Sequence, residues 1–211
     1  MNEAVQHDQA RARRARDGRD RSRSAILHAA ASLAAQDGLE GLSIGSVASA
    51  MGMSKSGLHA HFGSKTDLQL ATVAEAARVF AEEVVQPALA APAGLAQLTA
   101  VCEAFFTHLE RRTFPGGCFL ASAALEMGTR PGPVHDLITA HQAEFGRLLR
   151  GFAATAVAQG ELPGREDPDR LAFELNGIIL ATDTNFVLHD DPAVLTLARQ
   201  IIHQRLDAAD T

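Results

Sequence analysis

Side chains suited to hydrogen bonding and anion binding are concentrated in one stretch of the sequence, residues 43–65. On a helix that begins at Lys55, the positions Lys55, Ser56, Gly57 and His59 point outward. This set is small and polar and contains no carboxylate, whereas an exposed helix in an ordinary bundle usually alternates charge. Because a carboxylate would be repelled by phosphate oxygens, the pattern favours a helix that enters the major groove of DNA.

The flanking residues carry the start and stop signals of a helix-turn-helix. Ser43 is a suitable N-cap for a helix that ends at Gly52, and Ser54 is a suitable N-cap for the next helix, residues 55–62. Apolar residues at helical spacing predict the buried faces: Ile44, Val47, Ala48 and Met51 in the first helix, Leu58 and Phe62 in the second. The sequence therefore predicts two helices joined by a very tight turn.

Lys65 stands in the first turn of a further predicted helix, which the sequence Ser-Lys-Thr-Asp opens with the pattern of a capping box. The positive end of a helix dipole disfavours a cation at this position. A lysine is best explained here by an anion, such as a phosphate, that shares the site.

Residues 21–76 resemble the DNA-binding domain of the TetR family of transcriptional regulators. The residues that match the family pattern are Gly52, Met53, Ser54, Leu58, His61, Phe62, Ser64 and Lys65. His59 departs from it, because relatives usually carry Tyr or Phe there, so a phosphate contact through a tyrosine hydroxyl is not carried over. The resemblance implies that Ser43 touches the DNA backbone. With the outward helix positions, the expected DNA-binding residues are Ser43, Ser54, Lys55, Ser56, Gly57, His59 and Lys65.

Length and charge predict two domains. The 211 residues are 46% hydrophobic, which is enough for a small head and one larger core. Residues 1–65 hold nine Arg or Lys against six Asp or Glu, whereas residues 66–211 hold ten against nineteen. A basic head and an acidic body suit a nucleic-acid contact at one end only. We expect an arm at residues 1–20, a DNA-binding head at 21–80 and a C-terminal body at 81–211.

The arm is rich in arginine, with seven among the thirteen residues from Arg11 to Arg23. It has almost nothing apolar to bury, so the composition predicts disorder. Two interpretations stay open. The segment either solubilises the chain, or it reaches phosphates or a minor groove beside the recognition helix, as arms do in other helix-turn-helix proteins.

Apolar stripes at helical spacing continue through the body and predict an all-α fold. An Ala-rich fourth helix is expected to run from Leu68 to about Val85 and to break at Pro87 and Pro92, because proline disrupts a helix interior. The short Pro-Gly-Gly-Cys motif at 115–118 resembles the C-terminal domain of many TetR relatives. This resemblance implies a helical domain that binds a ligand and dimerises.

Large apolar side chains from several of these segments are expected to surround one cavity. The set is Phe80, Cys102, Phe105, Phe106, Phe119, Met127, His141 and Phe145. A mostly apolar cavity with one histidine suits a hydrophobic effector that carries one polar group. The alternative is that these side chains simply fill the core.

The last two helices carry apolar stripes that serve either as monomer core or as a dimer interface. In the TetR family the final helices pair with their symmetry mates in a four-helix interface, and Gly177 and Ala181 would permit close approach. The residues expected at this interface are Leu175, Ile178, Ile179, Thr182, Phe186, Val194, Ala198, Ile201 and Ile202.

Enzymatic, metal and membrane functions are disfavoured by the sequence. The histidines of the body have neither metal-ligand spacing nor a nearby nucleophile motif. Residues 171–188 are interrupted by polar side chains, and no signal peptide is visible, so we expect a cytoplasmic protein without a cofactor.

The expected function is a homodimeric repressor that a small molecule releases from a pseudo-palindromic double-stranded DNA operator. The alternatives are a ligand-independent regulator, and a small-molecule-binding protein that no longer binds DNA.

Overall fold

The computed structural model describes residues 22–163 and 165–207, and these residues form helices and no strands. We number the helices in chain order, beginning with α1 at residues 22–37. The others are α2 (Ile44–Ala50), α3 (Lys55–Phe62), α4 (Lys65–Phe80), α5 (Gln86–Ala90), α6 (Leu95–Arg111), α7 (Phe119–Met127), α8 (Pro133–Ala158), α9 (Pro168–His189) and α10 (Ala193–Asp207). The expected all-α fold is confirmed. The predicted arm lies outside the described residues.

The head is built as the capping signals predict. Each of α2, α3 and α4 follows a serine whose hydroxyl accepts a backbone N–H of the first turn: Ser43 from Ser46, Ser54 from Gly57 and Ser64 from Asp67, at 3.0 to 3.1 Å. Gly52 has a φ of +62°, and this left-handed residue lets α2 and α3 be joined by residues 51–54. Leu58 and Phe62 are buried against α1 and α4 residues such as Ile26. The predicted helix-turn-helix is therefore confirmed.

The expected break at Pro87 is wrong. A short π-helix, Ala81–Val85, continues directly from α4, and α5 follows with Pro87 in its first turn. The N–H of Gln86 donates to the carbonyl of Ala81, five residues earlier. In an α-helix the proline ring would clash with the carbonyl four residues earlier. The wider π turn moves that carbonyl away from the ring, so the helix continues through Pro87. The helical path instead ends at Ala90, two residues before Pro92.

The body packs its helices around α8, the longest one described. α8 lies against α4, α6, α7 and α9, and α10 covers α6 and α9. Phe105, Phe106, Leu149 and Leu175 are almost completely removed from solvent. Burial of each such side chain contributes about 1.5–3 kcal/mol to stability.

The Pro-Gly-Gly-Cys turn, residues 115–118, lies between the head and α9. A Cβ atom on Gly116 would lie 1.9 Å from the carbonyl oxygen of Ala35 in α1, so only glycine fits. On the other side, the N–H of Cys118 donates to Asp183 Oδ1 at 3.0 Å. Asp183 is 5% exposed, and burial raises the pKa of its carboxyl to about 6. The turn thus joins α1 to α9 by direct backbone contact and one buried hydrogen bond.

Among the described helices, α9 is long and apolar enough to cross a membrane by length and composition. The core helix of a soluble protein meets the same criteria. Leu171, Leu175 and Ile179 of α9 are buried in the protein core, where α9 packs on α8 and α10.

Candidate DNA-binding surface and ligand cavity

Five of the seven residues predicted to bind DNA border one open depression on the head. Ser43, Lys55, Ser56, His59 and Lys65 line it, together with the first turn of α2. The two others, Ser54 and Gly57, form the start of α3, where the Ser54 hydroxyl also hydrogen bonds to that of Ser56 at 3.2 Å. The fold thus brings two lysines and several small polar groups to one side of the recognition helix.

This depression has no carboxylate in its lining, but one borders it. Lys65 Nζ donates to the Glu40 carbonyl at 2.5 Å and to Glu40 Oε1 at 3.0 Å. The hydrogen bond and charge of Lys65 lower the pKa of the Glu40 carboxyl. In the protein without DNA, the Glu40 carboxylate therefore balances the charge of Lys65 at the positive end of the α4 dipole. A DNA phosphate would compete with Glu40 for this ammonium group.

A cavity of about 750 Å³ lies inside the body, between α4, α6, α7, α8 and α9. Four of the predicted pocket residues line it: Phe80, Phe105, His141 and Phe145. The other four, Cys102, Phe106, Phe119 and Met127, are buried in the core and do not line the cavity. The structure also places residues at the cavity that the sequence reasoning missed, among them Ala74, Ala77 and Ala81. These alanines recur on one side of α4 and its π-helical extension, and their small size leaves the space open.

Polar groups are few and lie on specific parts of the cavity wall. Arg78 is held by Glu75, at 2.7 and 3.0 Å, and by Glu82 at 2.5 Å, and these bonds raise the arginine pKa. Gln142 donates to the carbonyl of Leu120 at 3.0 Å. His141, Glu144, Arg147 and Asn176 also line the cavity, and no side-chain hydrogen bond joins them to another described residue. They are the polar groups positioned to contact a ligand.

The two described cysteines are buried. Burial raises the pKa of both the Cys102 and the Cys118 thiol to about 12. Cys118 lines the cavity but is almost entirely in the thiol form at neutral pH, so it is a weak nucleophile there.

Most of the residues expected at a dimer interface lie inside the subunit. Buried members of the set are Leu175, Ile179, Thr182, Phe186, Ala198 and Ile202. Ile178 and Val194 are half-buried, and Ile201 is exposed. Most of this stripe therefore belongs to the monomer core, which is the other interpretation of the same periodicity.

A second apolar face of α9 and α10 is exposed instead. On α9 it contains Phe173, which is 80% exposed, and Leu188, which is 72% exposed. Between them lie Gly177, Leu180, Ala181 and Thr184, at the three- and four-residue spacing of one helix face. On α10, Leu197 and Ile201, four residues apart, are also exposed.

A helix-turn-helix head that presents two lysines and small polar side chains on one surface defines a class, the helix-turn-helix DNA-binding proteins. Two family models match the chain, one in the head and one in the body. Residues 26–72 match the model described as bacterial regulatory proteins, tetR family, and residues 94–202 match the model described as tetracyclin repressor-like, C-terminal domain. The chain belongs to the TetR family of transcriptional regulators, which are DNA-binding proteins and not enzymes.

Solved structures share this fold over most of their length. A TetR transcriptional regulator of Chloroflexus aurantiacus is 24% identical, with 89% of this chain and 94% of that chain covered and a TM-score of 0.80. AibR in complex with isovaleryl coenzyme A and operator DNA is also 24% identical, with 85% and 96% covered and a TM-score of 0.69. A transcriptional regulator of Saccharomonospora viridis in complex with choline is 21% identical, with 89% and 96% covered and a TM-score of 0.75. No curated protein sequence matches the chain.

Proposed function

We propose that this protein is a cytoplasmic, homodimeric repressor that a small, mostly apolar effector releases from a pseudo-palindromic operator. The observation that carries the proposal is the presence in one chain of a basic recognition surface on α3 and of an apolar cavity of about 750 Å³ in the body. The proposal assigns residues 21–80 to DNA binding and residues 81–211 to effector binding and dimerisation.

On the DNA side, the proposal gives different roles to the two lysines of the depression. Lys55 and Ser56 are at the N-terminal end of α3, the end that recognition helices usually direct at base edges. Lys65 lies at the start of α4, beside Ser43, and is assigned to a phosphate. Lys55 thus contributes to sequence preference, and Lys65 contributes to affinity for any DNA.

On the effector side, the volume and lining of the cavity define the class of ligand. Pockets for small molecules usually enclose about 300–1,000 Å³, are mostly apolar and have a few placed polar groups. Phe80, Phe105 and Phe145 supply an aromatic wall, and His141 and Asn176 supply hydrogen-bonding groups. An effector with an apolar body and one polar group fits this arrangement. The AibR complex with isovaleryl coenzyme A and operator DNA is a precedent for both ligands on one related fold.

The exposed apolar face of α9 and α10 is the proposed dimer interface. Monomeric proteins rarely leave a large contiguous apolar patch in water. Gly177 and Ala181 lie in this face and permit close approach of a second α9 helix, as the sequence analysis expected for these two residues. Two-fold symmetry of the dimer would match the two half-sites of a pseudo-palindromic operator.

Two measurements test the proposal. A gel-shift assay with the DNA just upstream of the coding region should show a complex that forms at lower protein concentration than with a random duplex of equal length. Thermal unfolding against a metabolite panel should identify a compound that raises the unfolding temperature, because a ligand that binds only the folded state stabilises it. That compound should dissociate the DNA complex. A chain that binds both duplexes equally would contradict operator recognition, and an effector that leaves the complex intact would contradict release.

A further inference from the structure

One carboxylate on α7, that of Glu126, holds the turn between α1 and α2. Glu126 Oε2 accepts the N–H of Leu39 at 2.7 Å, and Oε1 accepts the N–H of Glu40 at 2.8 Å. Both N–H groups lie beyond the end of α1, and Glu126 is the acceptor for each of them. A carboxylate that receives two backbone donors makes charge-assisted hydrogen bonds, which are among the stronger types in proteins. Glu126 is therefore a firm link from the body to the head.

The turn held by Glu126 also reaches the DNA-binding surface. Glu40 pairs with Lys65 through both its carbonyl and its carboxylate, and its other carboxylate oxygen lies 3.6 Å from Arg130, just after α7. The carbonyl of Leu39 accepts a hydrogen bond from the buried amide of Gln69 in α4 at 2.8 Å. By fixing the backbone of Leu39 and Glu40, Glu126 fixes the position from which Glu40 contacts Lys65.

The opposite end of α7 belongs to the effector cavity. Leu120 and Ala121 form part of the cavity wall, and the Leu120 carbonyl is held by Gln142 of α8, which also lines the cavity. Glu126 follows Leu120 at a distance of about 9 Å along the helix axis, at 1.5 Å per residue. A single short helix thus joins a residue of the cavity wall to the carboxylate that holds the head, and a displacement of α7 at Leu120 would carry Glu126 with it.

We propose that Glu126 is a positioning residue that fixes the orientation of the head on the body, and that α7 connects the cavity wall to the head through it. The inference rests on the proposed function, because only a dimer with two heads at a fixed separation reads two half-sites together. A head that is released from α7 still contacts phosphates, which carry no sequence information. Loss of the Glu126 contacts should thus lower affinity for the operator much more than affinity for random DNA.

The test substitutes Glu126→Gln, which preserves size but removes the charge and one of the two acceptors. Glu161→Gln is the matched control, because the Glu161 carboxylate also accepts a backbone N–H, that of Leu95 at 2.8 Å, but within the body. The full chain first selects its operator from a pool of random duplexes. Affinities for that operator and for a random duplex of equal length are then measured at one salt concentration. Amide hydrogen exchange of Leu39 and Glu40 reports whether the contacts are broken.

We expect Glu126→Gln to accelerate exchange of both amides and to lower the ratio of operator to random affinity at least about tenfold, equivalent to about 1.4 kcal/mol. Glu161→Gln should leave the ratio unchanged. Glu126→Asp, which retains the charge but has a shorter reach, should lower the ratio as well. Faster exchange with a ratio within twofold of the parent, or an equal loss on both duplexes, would overturn the role of Glu126. A parent chain with no operator preference would instead overturn the proposed function, and this inference with it.

Discussion

The head and the body use their residues in opposite ways. In the head, short helices are fixed by serine caps and a tight turn, and the functional groups are the side chains left on the outside. In the body, long helices are fixed by large apolar side chains, and the functional feature is the space that these side chains fail to fill. A surface determined by local signals follows from sequence more directly than a cavity determined by long-range packing. Substitutions in the two regions should therefore have different consequences.

Substitution Leu58→Ala should separate the two regions most clearly. Leu58 is completely buried in the core of the head, and removal of such a side chain costs about 2–5 kcal/mol. We expect DNA binding to be lost in gel-shift assays while the body still binds its effector, as measured by calorimetry. The neighbouring exposed substitution His59→Ala should leave the thermal unfolding temperature unchanged. Equal loss of effector and DNA binding in Leu58→Ala would show that the two regions fold as one inseparable unit.

The two lysines should differ in how they affect specificity. Lys55→Ala should weaken operator binding by about 1–3 kcal/mol, with a smaller effect on random DNA, since a base contact is lost. Lys65→Ala should weaken specific and random binding alike, since a phosphate contact is lost. Titrations of both duplexes by fluorescence anisotropy at low salt measure the difference. Unchanged affinity of the Lys65→Ala protein for both duplexes would contradict the phosphate assignment.

One buried carboxyl of the body should make stability decrease as pH rises, because burial raises the pKa of Asp183 to about 6. The folded state then binds a proton more tightly than the unfolded state, whose aspartate has its ordinary pKa of 3.8. Stability contributed by the neutral carboxyl is therefore present at pH below 4 and is lost as pH rises through 6. Asp183→Asn retains an acceptor for the Cys118 N–H and should remove this loss, on the order of 1–3 kcal/mol. Chemical denaturation at pH 4.5 and 7.5 compares the two proteins, and parallel pH profiles would contradict the assignment.

Filling the cavity should have the smallest effect on the fold. Ala77→Leu places three additional carbons in the cavity, and their apolar transfer, about 0.8 kcal/mol for each buried carbon, offsets the cost of ordering the larger side chain and repacking the wall. We expect little change in unfolding temperature, unchanged operator affinity and loss of effector binding. Effector binding that persists in Ala77→Leu, measured by calorimetry, would place the effector outside this cavity.

The sequence predicts the head well and the body only in part, and the physical reason is the range of the interactions. Ser43, Ser54 and Gly52 act on backbone groups within four residues, so their consequences are visible in the sequence itself. The apolar stripes of α9 have the same spacing on their buried and exposed faces. Periodicity alone therefore cannot distinguish Leu175, which is core, from Phe173, which is exposed. Pro87 shows the same limit, since a π turn in the preceding residues decides whether proline ends the helix.

The cavity shows why half of the predicted pocket residues lie elsewhere. Large aromatic residues were expected to line it, but Phe106 and Phe119 are fully used in packing, and alanines such as Ala74 and Ala77 leave the space. The empty space of a cavity is not a property of any one residue. It depends on which helices face each other, and neighbours distant in sequence set that arrangement.

In the proposed function, the body controls the head through the cavity. The most direct test is the operator affinity of the full-length protein with and without a saturating concentration of the effector found by thermal shift, with Ala77→Leu measured in parallel. We predict that the effector lowers operator affinity of the parent protein at least about tenfold, which corresponds to a coupling free energy of about 1.4 kcal/mol, and leaves Ala77→Leu unchanged. Equal operator affinity of the parent protein in the presence and absence of the effector would contradict the claim.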